Sequence, residues 1–274
     1  MSALKTRSKK FEKRYQERAT ALVGIAAGLS ERPTPEEIHD LRVTARRVQV
    51  MRRLLPRRLR TTQTSRRFEL LLRSVLKRTS LVRDLDTLTC TLEEHRTTLP
   101  GDLLVMLSNQ RSDAAAQAKV ACDLLADSLP PSFDPSEIRG KGISTRLRKR
   151  AKRHGRAAVE LLSEVLRDES KADELHSLRV EIKKLRYLLE LSDRAPPELA
   201  AVTRWQDSLG AIHDLDVAMD FLRGRDVEMK GQAIDELRRS RHQGYMKFMT
   251  ECRADSIKAF GGSGVLAVES LQLA

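Results

Sequence analysis

Two segments of the chain place a histidine ahead of regularly spaced cations. Residues 38–55 read IHDLRVTARRVQVMRRLL, and residues 175–192 read LHSLRVEIKKLRYLLELS. Each segment begins with an apolar residue and His-x-Leu-Arg-Val, and a basic pair follows four and five residues after the arginine. Arginine forks onto phosphate oxygens, lysine acts as a compact point charge, and a protonated histidine donates hydrogen bonds. These residue types at this spacing therefore predict a site for a polyanion.

The pattern belongs to an internal repeat. The two histidines are separated by half of the 274 residues. Two further features recur in the same order: residues 83–86 (RDLD) match residues 213–216 (HDLD), and the basic stretch 5–18 matches the basic stretch 146–156. Duplicated halves bring matching residues together across a pseudo-twofold axis. The repeat thus predicts one composite positive site.

The cations share one side of each histidine helix. At about 100° per residue, the polar residues of each segment fall on one face and the leucines fall largely on the other. The cationic faces comprise His39, Arg42, Arg46, Gln49 and Arg53 in the first helix, and His176, Arg179, Lys183 and Arg186 in the second. An ordinary solvated face, paired with acids on neighbouring helices, is the alternative. Few acids are near, however, because residues 38–60 hold eight arginines and one aspartate.

Two companion helices add further positive charge. Residues 146–156 contain seven cations and no acid, and the N-terminal stretch is a less concentrated equivalent. We expect these helices to support the anion site, and such runs alone would equally suit nucleic acid or an anionic lipid surface. The supporting residues predicted are Lys10, Lys13, Arg14, Arg146, Lys149, Arg150 and Arg153.

Composition limits the function classes. The net charge of +13 favours nucleic acid, an anionic membrane or another polyanion as partner. Aromatic residues make up only 4% of the chain, which is few for base stacking on single-stranded nucleic acid. The three cysteines form no CxxC pair, and no GxSxG, HExxH or GxGxxG motif occurs. We therefore predict no enzyme activity, no cofactor, no metal site, no membrane span and a cytoplasmic location.

Periodicity predicts an all-α fold. Glycine and proline separate long helical segments, and no stretch alternates with the period of a strand. Thr34 and Glu37 predict a capping box that starts the first histidine helix, with Pro35 at its first position. We predict an N-terminal bundle over residues 1–130, a linker over 130–142, a C-terminal bundle over 141–258 and a mobile tail over 259–274.

The two Asp-Leu-Asp segments are interpreted as helix starts. An aspartate at a helix start accepts backbone N–H bonds, and its partner can anchor an arginine from the basic face. The third predicted helix therefore ends near Ser80, and a short helix follows Asp86. A divalent-cation site is the alternative, with carboxylate ligands from Asp84, Asp86, Asp214 and Asp216.

These residues resemble the CHAD domain, the conserved histidine α-helical domain. The resemblance rests on the two His-x-x-Arg-Val helices and the Asp-Leu-Asp segments, and it covers roughly residues 5–255. It implies two four-helix bundles about a pseudo-twofold axis, with a basic groove that binds inorganic polyphosphate, and a link to polyphosphate granules. Two positions depart from symmetry: Gln49 stands where the second half has Arg186, and Glu190 stands where the first has Arg53. The polyphosphate-binding residues implied are His39, Arg42, Arg46, Arg47, Arg53, His176, Arg179, Lys183, Lys184 and Arg186.

The sequence-based hypothesis is a stand-alone, non-catalytic polyphosphate-binding protein. Its expected partners are inorganic polyphosphate and a granule or polyphosphate enzyme, with weaker affinity for nucleic acid. Two alternatives stay open: a basic protein associated with nucleic acid or storage granules, and a divalent-metal-chelating protein.

Overall fold

Helices form nearly all of the described part of the chain. The structure is a computed structural model that describes residues 2–95, 101–138, 140–192, 198–225 and 230–259. The helices are α1 (Ser2–Ala27), α2 (Pro35–Leu54), α3 (Arg57–Arg60), α4 (Gln63–Glu94), α5 (Gly101–Ala126), a 3-10 turn (Pro135–Glu137), α6 (Gly140–Val165), α7 (Ala172–Leu189), α8 (Glu198–Arg223) and α9 (Lys230–Ala259). No strand occurs within these ranges, and the all-α prediction is confirmed.

The first histidine helix begins where the capping residues predict. The Thr34 hydroxyl accepts the Glu37 N–H at 3.2 Å, and the Glu37 carboxylate accepts the Thr34 N–H at 2.7 Å. Pro35 occupies the first turn, where a missing N–H costs nothing. The extended backbone of Leu55 and the following Pro56 end the helix. Local sequence signals therefore determine where α2 begins and where it ends.

The prediction that the Asp-Leu-Asp segments start helices is wrong. Residues 84–86 lie inside the continuous helix α4, and residues 214–216 lie inside α8. In both segments the central leucine is buried, and neither segment contains a glycine or proline that would break a helix. Tertiary packing therefore outweighs the preference of aspartate for helix ends. The short helix α3, between α2 and α4, was not predicted.

The chain divides into two compact units. Unit 1 comprises Met1–Thr89 and Pro100–Leu147, and unit 2 comprises Cys90–Leu99 and Arg148–Ala274. The predicted domain limits, 1–130 and 141–258, stay a prediction. Apart from Ala259, the predicted tail lies outside the described residues.

Each unit buries the apolar sides of its own helices. In unit 1, helix α1 packs against α2 and α5, and its Tyr15 and Leu22 are fully buried. In unit 2, α8 packs against both α7 and α9, and Trp205 and Phe248 are buried. None of the helices in the described ranges combines the length and apolar character needed to cross a bilayer.

An arginine in unit 1 fixes the loop that leads into the first histidine helix. Arg111 of α5 donates through Nε to the Asp86 carboxylate at 2.5 Å. Its Nη2 donates to the carbonyl of Pro33 at 2.8 Å, just before α2. The second aspartate of the Asp-Leu-Asp segment thus anchors an arginine, as expected, but the arginine comes from α5 and not from the basic face.

Unit 2 repeats this contact, which we term the arginine clamp. Arg241 of α9 donates through Nε to Asp216 at 2.6 Å and through Nη2 to the Glu169 carbonyl at 3.2 Å. Its Nη1 also pairs with the Glu169 carboxylate at 3.2 Å. Glu169 lies in the loop before α7, so each histidine helix starts from a loop held by an arginine–aspartate pair.

We expect Arg241→Ala to lower the free energy of unfolding by about 3 kcal/mol, because it removes the guanidinium that pairs with both Asp216 and Glu169. Urea denaturation at neutral pH measures this change. The matched control is Arg238→Ala, whose side chain is 61% exposed and pairs with Asp235 one turn away, and it should cost less than about 1 kcal/mol. Equal losses in the two variants would contradict the clamp's role.

Candidate anion-binding site

Helix α2 presents its cations on the side opposite its buried residues. Leu41, Ala45 and Val48 are buried, whereas His39 is exposed and Arg42 is half-buried. Arg46 and Arg47 are also half-buried. The amphipathic wheel predicted from the sequence therefore holds in the structure of unit 1.

Neutral oxygens of helix α4 orient Arg42. Its Nη1 donates to the Leu76 carbonyl at 2.9 Å and to the Thr79 hydroxyl at 3.0 Å. Thr79 is buried and donates in turn to the Val75 carbonyl at 2.7 Å. These contacts fix the guanidinium without cancelling its charge, which suits a group that binds an anion.

Cations crowd together further along the same face. Arg53 keeps part of its surface in solvent, yet its pKa is lowered by desolvation and then by the positive charges of Arg46 and Arg73. Glu69 partly opposes this effect. Gln49, the residue that breaks the symmetry of the repeat, accepts a hydrogen bond from Arg46 at 3.2 Å. This side of α2, which we term the α2 face, therefore carries several closely spaced positive charges.

In unit 2, the α7 face forms around a pair of histidines. The rings of His176 on α7 and His213 on α8 lie 4.8 Å apart between centroids, and their Nδ1 atoms lie 3.5 Å apart. Burial, and then the positive charges of Arg179, His176 and Lys183, lower the pKa of His213 to about 4. His213 is therefore neutral near pH 7 and stands among groups that favour an anion.

His213 was missed as a site residue in the sequence. The only signal is its place directly before the second Asp-Leu-Asp segment, where the first half has Arg83. Both positions lie inside long helices, α4 and α8, and both side chains are half-buried. The repeat therefore places a basic residue type at this position in both units.

Two of the predicted polyphosphate-binding residues of helix α7, Lys184 and Arg186, have carboxylate partners within unit 2. Lys184 donates to Glu181 at 2.6 Å, and the other Glu181 oxygen lies 2.6 Å from Nδ1 of the buried His154. Burial alone would raise the pKa of Glu181, but the hydrogen bonds from Lys184 and His154 outweigh it and lower the pKa. Arg186 lies 3.6 Å from Glu190. Carboxylates therefore partly compensate the charges of Lys184 and Arg186.

The predicted supporting residues of α1 and α6 differ in their exposure and in their partners. Lys13 is exposed and lies 3.8 Å from Glu17, and Arg153 donates to the His154 ring at 3.1 Å. Arg146 is half-buried and donates through Nε to the Leu54 carbonyl at 2.5 Å. The remaining supporting residues are exposed or half-buried on α1 and α6: Lys10, Arg14, Lys149 and Arg150.

The structure thus brings the predicted residues into two groups, one in each unit. The α2 face comprises His39, Arg42, Arg46, Arg47 and Arg53, with Arg73 added from α4. The α7 face comprises His176, Arg179 and Lys183, with His213 added from α8. In the residues with described side chains, no group of three or more His, Cys, Asp or Glu could hold a metal ion.

Comparison with known proteins places this arrangement in a family. The CHAD domain family matches residues 15–223, a range that includes both histidine helices and both Asp-Leu-Asp segments. Among solved structures, the CHAD domain from the plant Ricinus communis is similar, with a TM-score of 0.49 and 17% identity over 94% of this chain and 88% of that chain. No curated protein matches the sequence significantly. Since the family match covers well over half of the residues, the chain belongs to the CHAD domain family.

Proposed function

We propose that the protein binds inorganic polyphosphate through the α2 and α7 faces. The observation that carries this proposal is the crowding of like charges on both faces. Desolvation lowers the pKa values of Arg53 and His213, and nearby cations lower them further: Arg46 and Arg73 for Arg53, and Arg179 and Lys183 for His213. A polyanion relieves this repulsion and gains charge-assisted hydrogen bonds.

The faces suit a ligand without bases. Polyphosphate carries about one negative charge per phosphate, so it requires closely spaced cations and no hydrogen-bond code. Single-stranded nucleic acid instead requires aromatic platforms. All three tyrosines and Trp205 are buried, and no phenylalanine whose side chain is described is exposed. The membership of the CHAD domain family, which is associated with polyphosphate in general, supports the same ligand.

The internal repeat supports the assignment of both faces to one ligand. A flexible polyphosphate chain engages many weak contacts, and its affinity comes from the summed release of counterions. The sequence-based prediction that the faces line one groove between two pseudo-symmetric bundles is part of this proposal. A single groove predicts that one polyphosphate chain binds per protein molecule and that affinity is lost when either face is changed.

The proposed role is non-catalytic. A histidine that activates a nucleophile needs a serine or cysteine within hydrogen-bond reach. His154 and His242 contact the carboxylates of Glu181 and Glu169, and His176 contacts His213. We further propose a cytoplasmic protein that associates with polyphosphate granules or with an enzyme of polyphosphate metabolism.

The divalent-metal alternative is weakened by the arginine clamps. Asp86 and Asp216 were two of its four candidate ligands, and each accepts a hydrogen bond from an arginine at 2.5 and 2.6 Å. A guanidinium at that distance competes directly with a cation for the same carboxylate oxygen. The Asp-Leu-Asp segments are therefore interpreted as supports for the histidine helices.

Removing cations from either face should weaken polyphosphate binding and flatten its salt dependence. We expect Arg46→Gln with Arg53→Gln, and separately Arg179→Gln with Lys183→Gln, to reduce the slope of log K against log salt by about 0.7 per cation removed. Fluorescence anisotropy with labelled long-chain polyphosphate at several salt concentrations measures both quantities.

The matched control for these variants removes the same charge elsewhere. Arg238→Gln with Arg239→Gln changes two exposed arginines of α9 that pair with Asp235 and Glu236. If this control weakened binding as much as the face variants, the attraction would be a property of net charge and not of the faces. RNA that competes as well as polyphosphate at equal phosphate concentration would favour the nucleic-acid alternative.

Polyphosphate binding should tighten as the pH falls. A bound polyanion raises the pKa of His213 above its value of about 4 in the free protein, so binding takes up a proton. Affinity therefore rises as the pH falls through the pKa of the bound state, and it levels off near pH 4. Titrations between about pH 7.5 and pH 5 should show this rise in the wild type and a flatter profile in His213→Asn.

The control for the pH effect is His95→Asn. The His95 ring contacts the Thr91 carbonyl of its own helix at 2.9 Å and belongs to neither face. This variant should keep the wild-type pH profile. Identical profiles in the wild type and His213→Asn would show that the histidine pair does not take up the proton.

A further inference from the structure

The described part of unit 1 contains six polar side-chain atoms that are shielded from solvent and have no hydrogen-bond partner, one of which is the acceptor Oδ2 of Asp86. The other five are Nε of Arg52, Nε of Arg60, Nη2 of Arg146, Oη of Tyr15 and Oγ of Ser65. All five are able to donate a proton. Buried polar groups are almost always hydrogen-bonded, so several such donors in one part of a protein require an explanation.

Hydrogen bonds bring four of these residues close together, and the charge of Arg52 acts on the fifth, Tyr15. Arg52 donates to the carbonyls of Arg60 at 2.8 Å and Ser65 at 3.0 Å. Arg146 donates to the carbonyl of Leu54, two residues after Arg52, at 2.5 Å. We call Tyr15, Arg52, Arg60, Ser65 and Arg146 the arginine cluster. Its members come from α1, α2, α3, α4 and α6, so residues far apart in the chain contribute donors to one region.

The cluster carries more positive than negative charge. Arg52 pairs with Glu69, which also pairs with Arg73. Desolvation lowers the pKa of Arg52 and that of Arg146, and the charge of Arg60 lowers both further. Three guanidinium groups are therefore close enough to repel one another.

The members of the cluster range from fully buried to half-buried. Tyr15 and Ser65 are 0% exposed and Arg52 is 3% exposed, whereas Arg60 and Arg146 are half-buried. Burial raises the pKa of Tyr15, so its hydroxyl stays protonated and able to donate. Gly142 leaves room for Arg146, since a Cβ there would meet Nη1 at 3.3 Å. An anion would reach the buried donors past the two half-buried arginines.

We propose that the arginine cluster is a binding site for one phosphate group, distinct from the α2 and α7 faces. Guanidinium groups and hydroxyl donors bind tetrahedral oxyanions. A dianion would balance the positive charge of the three arginines that Glu69 does not neutralise. The phosphate group is either free orthophosphate or the terminal group of a phosphate chain. Orthophosphate binding does not depend on the proposed polyphosphate function.

The first test is isothermal titration of inorganic phosphate into the full-length wild-type protein, with ionic strength matched by chloride. The expected result is saturable binding at a stoichiometry of one. A stoichiometry of zero, or heats that chloride reproduces, would overturn the site. This measurement needs no variant, so it decides the matter even if a substituted protein folds poorly.

Substitutions then locate the site. Arg60→Gln and Arg146→Gln should each weaken orthophosphate binding by about tenfold or more, since each removes a charge-assisted donor. Tyr15→Phe keeps the ring and should cause a smaller loss. Arg67→Gln, an exposed arginine on α4, is the matched control and should bind as the wild type does. Unchanged affinity in both cluster variants would overturn the assignment.

Two further arms separate the sources and the two proposals. Long-chain polyphosphate that displaces orthophosphate in proportion to its chain ends identifies the terminal group as the ligand, whereas failure to displace it identifies free orthophosphate. Arg179→Gln with Lys183→Gln should keep orthophosphate binding. If this variant binds orthophosphate normally but the wild type does not bind polyphosphate, the proposed function fails and the cluster stands.

Discussion

Repulsion among cations held side by side is the constraint on which the rest of the structure depends. Each like-charged pair on a helix costs a few tenths of a kcal/mol, and the cost grows where the groups lose solvent. On the α2 and α7 faces, desolvation and then this repulsion lower the pKa values of Arg53 and His213. A flexible surface would let the charges separate. The fold therefore has to hold the backbone of α2 and α7 firmly.

The arginine clamps supply that rigidity in both units. Arg111 and Arg241 each join a carboxylate inside a long helix to the loop just before a histidine helix. A clamp of this kind fixes where the helix starts, and the capping box at Thr34 adds a second constraint in unit 1. The same residue type thus has two tasks: some arginines pair with acids to stiffen the scaffold, and in the proposed function others bind the ligand.

The sequence was sufficient to predict the helices that carry the faces. The capping box and Pro35 located the start of α2, and hydrophobic period indicated both α2 and α7, because these signals act within a few residues. The Asp-Leu-Asp segments were misread for the opposite reason. Aspartate favours helix ends locally, and only the distant Arg111 and Arg241 show that Asp86 and Asp216 belong inside helices. His213 was missed because its neighbour, His176, is distant in sequence.

Residue type alone also fails to separate binding cations from structural ones. Lys184 and Arg42 were both predicted to bind polyphosphate. In the structure, Lys184 pairs with Glu181, and Arg42 donates to the Leu76 carbonyl and the Thr79 hydroxyl of α4. Hydrogen bonds that hold a guanidinium in one position reduce the rearrangement that a ligand must induce, and fixed cations on one face concentrate an electrostatic field. The partners of an arginine, more than its position on a helical wheel, therefore determine whether it contributes to an anion site.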